Sequence, residues 1–212
     1  MDNIIIKTKA LKFMDAIKYE DVEIAKDKVN FIVGRSGSGK STLLRLFNGT
    51  LEPSSGDIYY EGKNIDDIDT IELRQEVSLI SQSVYLFDTD IRGNFKEFYK
   101  YRNMDSPSEE TMKKYLEIAA IDFPLDKDCM TMSGGERQRV YIGIFLSFNP
   151  KVLMLDEPTS ALDDENSEIV IKNVLDYCKD QGITVIVVSH DKQLTDKFAD
   201  NIIQIGRENN NE

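Results

Sequence analysis

Cysteine, histidine and basic side chains are scarce in this sequence, and no apolar run is long. The two cysteines, Cys129 and Cys178, stand far apart and in no metal-ligand spacing. That excludes a thiolate metal site, fits a reducing compartment and leaves both as packing residues. The longest apolar stretches, such as Ile183 to Val188, have the length of strands and fall far short of the roughly 20 residues a membrane helix needs. Residues 1–13 carry no basic start, no long apolar run and no small-residue cleavage site, so no secretory signal is visible and a cytosolic chain is expected. Lysine and arginine number 26 against 38 aspartates and glutamates, giving a net charge of −12. Such a balance disfavours non-specific attraction to nucleic acid or to an anionic lipid surface. No nucleic-acid partner is expected, and membrane association should run through a protein.

Against these absences stands an ordinary globular composition, 41% hydrophobic and 30% charged over 212 residues, enough for a substantial core. Residues 1–212 are read as one domain without internal repeat or low-complexity linker. Gly34 to Ser41 reads GRSGSGKS, a complete G-x-x-x-x-G-K-[ST] loop. A triphosphate needs backbone N–H groups turned inward around its oxygens, and Gly34, Gly37 and Gly39 permit that turn. Arg35, Ser36 and Ser38 complete the loop. The helix that follows aims its positive end at the same oxygens. Lys40 is placed to reach the β- and γ-phosphates and Ser41 to ligate Mg²⁺, with Thr42 beside them. ATP and Mg²⁺ are the expected ligands. A glycine-rich turn of no function needs neither the strand before this loop nor the helix after it.

Val29 to Val33 reads as the buried strand feeding the loop, and Lys40 to Phe47 as the helix, closed by a left-handed cap at Asn48-Gly49. Short strands are expected at Ile4–Ile6, Val22–Ile24, Asp57–Tyr60 and Val77–Ser81. Ser106-Pro107-Ser108-Glu109 has capping-box spacing with proline at the first helical position, opening a helix to about Ala120. Ser133 to Glu136 repeats the box before an apolar helix. Strands at Val152–Leu155, Ile183–Val188 and Asn201–Ile205 then alternate with helices at Asn166–Lys179 and Lys192–Ala199. Apolar strands alternating with helices argue for a parallel sheet covered on both faces. The polar tail from Arg207 is expected to fray. Val152 to Glu157 (VLMLDE) is an apolar strand that delivers Asp156 into the phosphate site, where it can hold Mg²⁺ through a water. Two acids at a strand end also suit a solvated turn into Pro158; the loop at Gly34 tips the reading towards chemistry.

Ser133 to Gln138 (SGGERQ) resembles the signature of the ATP-binding cassette (ABC) family, with Met132 where leucine is usual. Ser160 to Asp163 (SALD) matches the family's D-loop, and the motifs fall in family order from Gly34 to His190. The resemblance implies an α/β fold: a P-loop NTPase core with a mostly parallel sheet, an antiparallel β lobe, and a helical lobe at about 83–148. It implies a head-to-tail dimer, homomeric or heteromeric, with two ATP molecules at its interface. Glu157 would polarise the attacking water. Gln82 would sit near Mg²⁺ as a lever on the membrane partner, and His190 would contact the γ-phosphate. Ser133, Gly134, Gly135 and Glu136 would reach the nucleotide of the facing subunit, with Asp163 communicating across the dimer. Phe13 is the candidate for stacking on adenine and Tyr19 the runner-up.

In that family such a chain drives a transmembrane permease subunit, which here must be a separate polypeptide, leaving this chain peripheral on the inner face of the membrane. Tyr85 to Asn94 (YLFDTDIRGN) resembles the LF-x-x-T-I-x-x-N pattern of export-type cassettes, with Asp90 in place of threonine, although the export-type insertion before the signature is not recognisable. The reading therefore leans towards export. A non-transport ABC ATPase of DNA repair or translation is the alternative. It would need a coiled-coil insertion, or two cassettes with a basic linker, and the sequence has neither. A kinase would share the loop at Gly34 but have no use for SGGERQ.

Overall fold

The computed structural model describes residues 3–14, 16–160 and 164–206, without the side chains of 164–167. A ten-residue strand, β1 (Ile4–Phe13), opens the chain, and β2 (Ile17–Lys18) and β3 (Glu23–Ala25) pair with it antiparallel. The chain leaves this lobe through β4 (Val29–Val33) and α1 (Lys40–Phe47) and returns through β5 (Ser55–Tyr60), antiparallel to β1, and β6 (Lys63–Asn64). Next come α2 (Thr70–Glu76) and β7 (Val77–Ile80), then three helices, α3 (Ile91–Tyr101), α4 (Glu109–Ile118) and α5 (Gly134–Leu146). The chain closes with β8 (Val152–Asp156), α6 (Asp164–Asp180), β9 (Thr184–Val188), α7 (Lys192–Phe198) and β10 (Asn201–Gln204). The second sheet runs β10-β4-β9-β8-β7 with every neighbouring pair parallel. No helix among the described residues is long and apolar enough to cross a membrane.

The middle of the parallel sheet explains its sequence. All five residues of β8 and all five of β9 are buried, so both strands read as continuous apolar runs rather than alternating ones. Successive side chains still point to opposite faces. Leu153 and Leu155 enter the core shared with the helical segment, whereas Val152 and Met154 join the core that holds Leu43, Leu44 and Phe47 of α1. The same alternation brings Asp156, the last residue of β8, to the α1 face. α1 itself ends as its sequence suggests: Gly49 has φ 66°, and the N–H groups of Gly49 and Thr50 donate to Leu46 O and Arg45 O at 3.1 and 2.8 Å. That is a Schellman closure.

Several boundaries shift by one or two residues, and two of the differences have a physical reason. The helix expected from Pro107 starts at Glu109, capped by Ser108, whose hydroxyl accepts the N–H of Thr111. Starting there puts Glu109 and Glu110 both in the first turn, where the helix dipole favours them. The first strand extends to Phe13 because Lys7, Lys9 and Lys12 take exposed positions while Thr8 and Leu11 are buried, an alternation that Ile4–Ile6 alone does not display. Asp163 and the tail from Arg207 lie outside the described residues.

Candidate functional site

β4 delivers the chain at Val33 into the loop from Gly34 to Gly39, and α1 begins at Lys40. Gly39 adopts φ 91°, and a Cβ there would lie 2.7 Å from the Tyr19 hydroxyl, so both backbone and space require glycine. Tyr19 is buried, and its hydroxyl donates to Gly39 O at 2.9 Å, bracing the loop from below. Burial pushes the Tyr19 pKa up to about 12, so the hydroxyl keeps its proton. Lys40 is 5% exposed, and its ammonium donates to Gly34 O at 2.9 Å and Arg35 O at 3.0 Å. Burial holds its pKa below the usual lysine value, opposed by the charges of Glu157 and then Asp156.

Asp156 is 4% exposed and accepts the Ser41 hydroxyl at 2.9 Å. Burial raises its carboxyl above the ordinary range, with Ser41, Arg45 and Lys40 pulling the other way. One residue on, Glu157 takes φ 50°, an uncommon conformation for a non-glycine residue that costs about 1–3 kcal/mol. Its N–H donates to Val188 O at 2.9 Å, continuing the β8–β9 ladder past Asp156, which is paired with Val188. This register sets the ends of the two strands side by side, so the residues just past β9 arrive beside Glu157. His190 Nε2 accordingly lies 3.1 Å from Glu157 Oε1, at ion-pair distance but not aligned for a hydrogen bond. Burial raises the Glu157 pKa, and His190 and Lys40 oppose it.

These groups meet in one open cleft of about 560 Å³, lined by Ser36, Gly37, Gly39, Lys40, Ser41, Thr42, Gln82, Glu157 and His190, together with Ile17 and Ser160. Gln82 is exposed two residues past the end of β7, at the rim. Ile17 is the member that sequence reasoning missed. It pairs with Phe13 across the β1–β2 hairpin, and Phe13 itself is half-buried against the core of the lobe and does not line the cleft. The signal lay in that hairpin register, which a two-residue strand hides. The runner-up, Tyr19, is committed to Gly39.

The segment around Ser133 stands apart. Ser133 caps α5: its hydroxyl accepts the Glu136 N–H at 3.3 Å, and Glu136 Oε2 accepts the Ser133 N–H at 2.7 Å. This is the full capping box, and it holds the Glu136 carboxyl below its ordinary pKa. Ser133 and Gly134 are exposed, a Cβ at Gly134 would meet nothing within 4 Å, and none of Ser133, Gly134, Gly135 or Glu136 lines the cleft.

The family model described as ABC transporter matches residues 18–160, from β2 to the end of the cleft-lining Ser160. The chain belongs to the ABC transporter family. The phosphonates import ATP-binding protein PhnC of Wolinella succinogenes is 34% identical to this cassette over 201 residues, 89% of this chain and 73% of that protein. The probable iron export ATP-binding protein FetA of Escherichia coli is 37% identical over 175 residues, 82% of this chain and 77% of that protein. A bacterial ABC transporter cassette solved as a dimer superposes with a TM-score of 0.82 at 26% identity over 94% of each chain. The protein is thus an ABC ATPase, an ATP-binding cassette with the family's P-loop α/β fold, and cassettes of both import and export transporters are similar to it.

Proposed function

We propose that this cassette powers a transporter whose membrane domains lie on a separate chain. It works as a head-to-tail dimer in which each ATP is held by the P-loop of one subunit and the signature of the other. Residues 1–212 act as one ATP-binding domain, with the helical lobe at about 83–148. The observation that carries this reading is the position of Ser133 and Gly134: exposed at a helix N-terminus, sterically open, and away from their own cleft. Such an end offers donors to an anion that its own chain does not supply.

The geometry of the cleft supports the following roles within this reading. Lys40 would transfer its ammonium from the carbonyls of Gly34 and Arg35 to the phosphates, and the loop N–H groups would hold the phosphate chain. Glu157, aimed by its left-handed backbone, would accept a hydrogen bond from the attacking water, with His190 beside it against the γ-phosphate. The donor set fits Mg²⁺: Ser41 and Asp156 present hard oxygens 2.9 Å apart, and no group of three or more His, Cys, Asp or Glu among the described residues forms a cage. Bound Mg²⁺ would neutralise charge on the phosphate oxygens. Gln82, at the rim, completes the site from the side of the helical segment. Ile17, with Phe13 behind it, is the apolar wall available to adenine.

The membrane partner is proposed to dock where Tyr85 and Tyr101 are exposed beside Phe87, which stacks on Tyr101 at 5.7 Å and meets Tyr85 edge-on at 5.1 Å. Docking there would leave the cassette peripheral on the inner face of the membrane. Asp90 caps α3, accepting the Gly93 N–H at 2.6 Å, a role that threonine also serves, so the Asp90 substitution leaves the export-type pattern mechanically intact. That pattern supports export. Mixing Lys40→Ala and Ser133→Ala chains tests the shared site. The mixture should recover ATPase activity that neither variant has alone, because one complete site forms per mixed dimer; no recovery would refute sharing between subunits.

A further inference from the structure

Asn94 in α3 is fully buried and makes a set of hydrogen bonds that nucleotide binding does not use. Its Oδ1 accepts the Phe87 N–H at 2.8 Å. Its Nδ2 donates towards Phe87 O, Thr89 O and Asp90 O, at 3.2, 3.4 and 3.0 Å, and towards Cys129 Sγ at 3.4 Å. One side chain thus closes the turn from Phe87 to Asp90 and fastens it to Cys129, 35 residues along the chain.

The backbone reinforces that link. Cys129 N–H donates to Thr89 O at 3.2 Å, Ile91 N–H to Lys127 O at 3.1 Å and Arg92 N–H to Leu125 O at 2.9 Å, with a bridge between Asp90 and Asp128. From Cys129 the chain makes a single 3-10 turn, Cys129–Thr131, capped by the Asp128 carboxylate on the Met130 N–H at 2.8 Å. Met132 is buried, and the next residue is Ser133, the cap of α5. Only Met130, Thr131 and Met132, with no free hinge among them, therefore separate the Asn94 contact at Cys129 from the exposed Ser133. None of these residues lines the cleft formed by their own chain.

We propose that Asn94 is a positioning residue for the signature: it sets the placement of Ser133 by clamping Cys129, and so acts on the nucleotide bound by the facing subunit rather than on its own. This rests on the shared-site reading above. A buried asparagine that merely stabilised the fold would affect both sites of a dimer alike, whereas positioning Ser133 gives the effect a direction. Misplacing a group in a preorganised site by about 1 Å can lower the rate by up to about 100-fold.

The test uses two differently tagged copies of the full chain, isolated as mixed dimers of Lys40→Ala with Ser133→Ala. The single working site takes its P-loop from the Ser133→Ala chain and its signature from the Lys40→Ala chain. Asn94→Ala on the Lys40→Ala chain should lower kcat about tenfold or more. The same change on the Ser133→Ala chain should leave it within about twofold, a margin set by effects outside the site. Equal losses in the two arrangements would overturn the proposal. The mixed dimer without an Asn94 change separates the two readings: if it has no activity, site sharing fails, and if it is active while the losses are equal, only the role of Asn94 fails. Should Asn94→Ala not fold, Cys129→Ala removes the sulfur contact and is run in the same two arrangements. Loss confined to the signature-donating chain supports the clamp, and symmetry or no loss overturns it.

Discussion

Glu157 combines a left-handed backbone, a buried carboxylate oxygen without a hydrogen-bond partner among the described residues, and a carboxyl that burial raises above its ordinary pKa. Asp156 beside it is raised for the same reason. Both groups bind their protons more tightly in the folded chain than in the unfolded one. Their contribution favours the fold below the ordinary carboxylate range and is lost as pH rises through the raised values. Glu157→Gln removes that loss. Without nucleotide, it should melt above the parent protein at neutral pH, the gap closing below about pH 4 where the unfolded carboxyl is protonated too. Thermal unfolding across that range checks the sign; a parent that melts higher at neutral pH would mean that His190 and Lys40 outweigh burial. With nucleotide the same variant should bind ATP and fail to turn it over, read by single-turnover assays. Lys40→Ala should instead lose productive ATP binding, and hydrolysis at the parent rate would move the phosphate site elsewhere.

At the level of elements, the shared-site proposal gives α5 a function separable from its own stability. A methyl group at Gly134 meets nothing within 4 Å in its own subunit. Gly134→Ala should leave the melting temperature of the monomer unchanged or slightly higher, since alanine favours helix over glycine. Its ATPase activity should nevertheless fall by about tenfold or more, because the added methyl obstructs the approach of a facing nucleotide. Loss of stability in step with activity would return the residue to an ordinary structural role. The central strands and the P-loop were legible in the sequence because burial on both faces writes largely apolar runs, and β4, β8 and β9 stop at Val33, Asp156 and Val188, directly before Gly34, Glu157 and Ser189-His190. The hairpin of β1 and β2 was not legible, since its register depends on a two-residue strand paired through Phe13 and Ile17, and with it went the wall of the cleft. The start of α4 differs for a local reason: Ser106 and Ser108 both stand where a cap could, and it is the Ser108 hydroxyl that accepts the N–H three residues on, from Thr111. The clamp at Asn94 leaves no periodic trace, because its partners are mostly backbone carbonyls.

At the scale of the whole molecule, the proposed site joins the cleft of one subunit to the α5 end of another, so activity should depend on association. Specific ATPase activity should fall on about hundredfold dilution as dimers dissociate. A constant value per chain would favour a site complete within one subunit. Tyr85→Ala with Tyr101→Ala should spare the hydrolysis of the isolated chain and weaken its recovery with a multi-span partner from detergent extracts. One feature of the P-loop bears on its state without nucleotide. The Lys40 ammonium rests on Gly34 O and Arg35 O, two acceptors that belong to the loop itself. Without nucleotide those carbonyls hold the cation, so the lysine is not left bare in a buried place. An arriving phosphate must therefore win the cation from two seated acceptors, so the empty loop is a settled state and not a vacancy waiting to be filled.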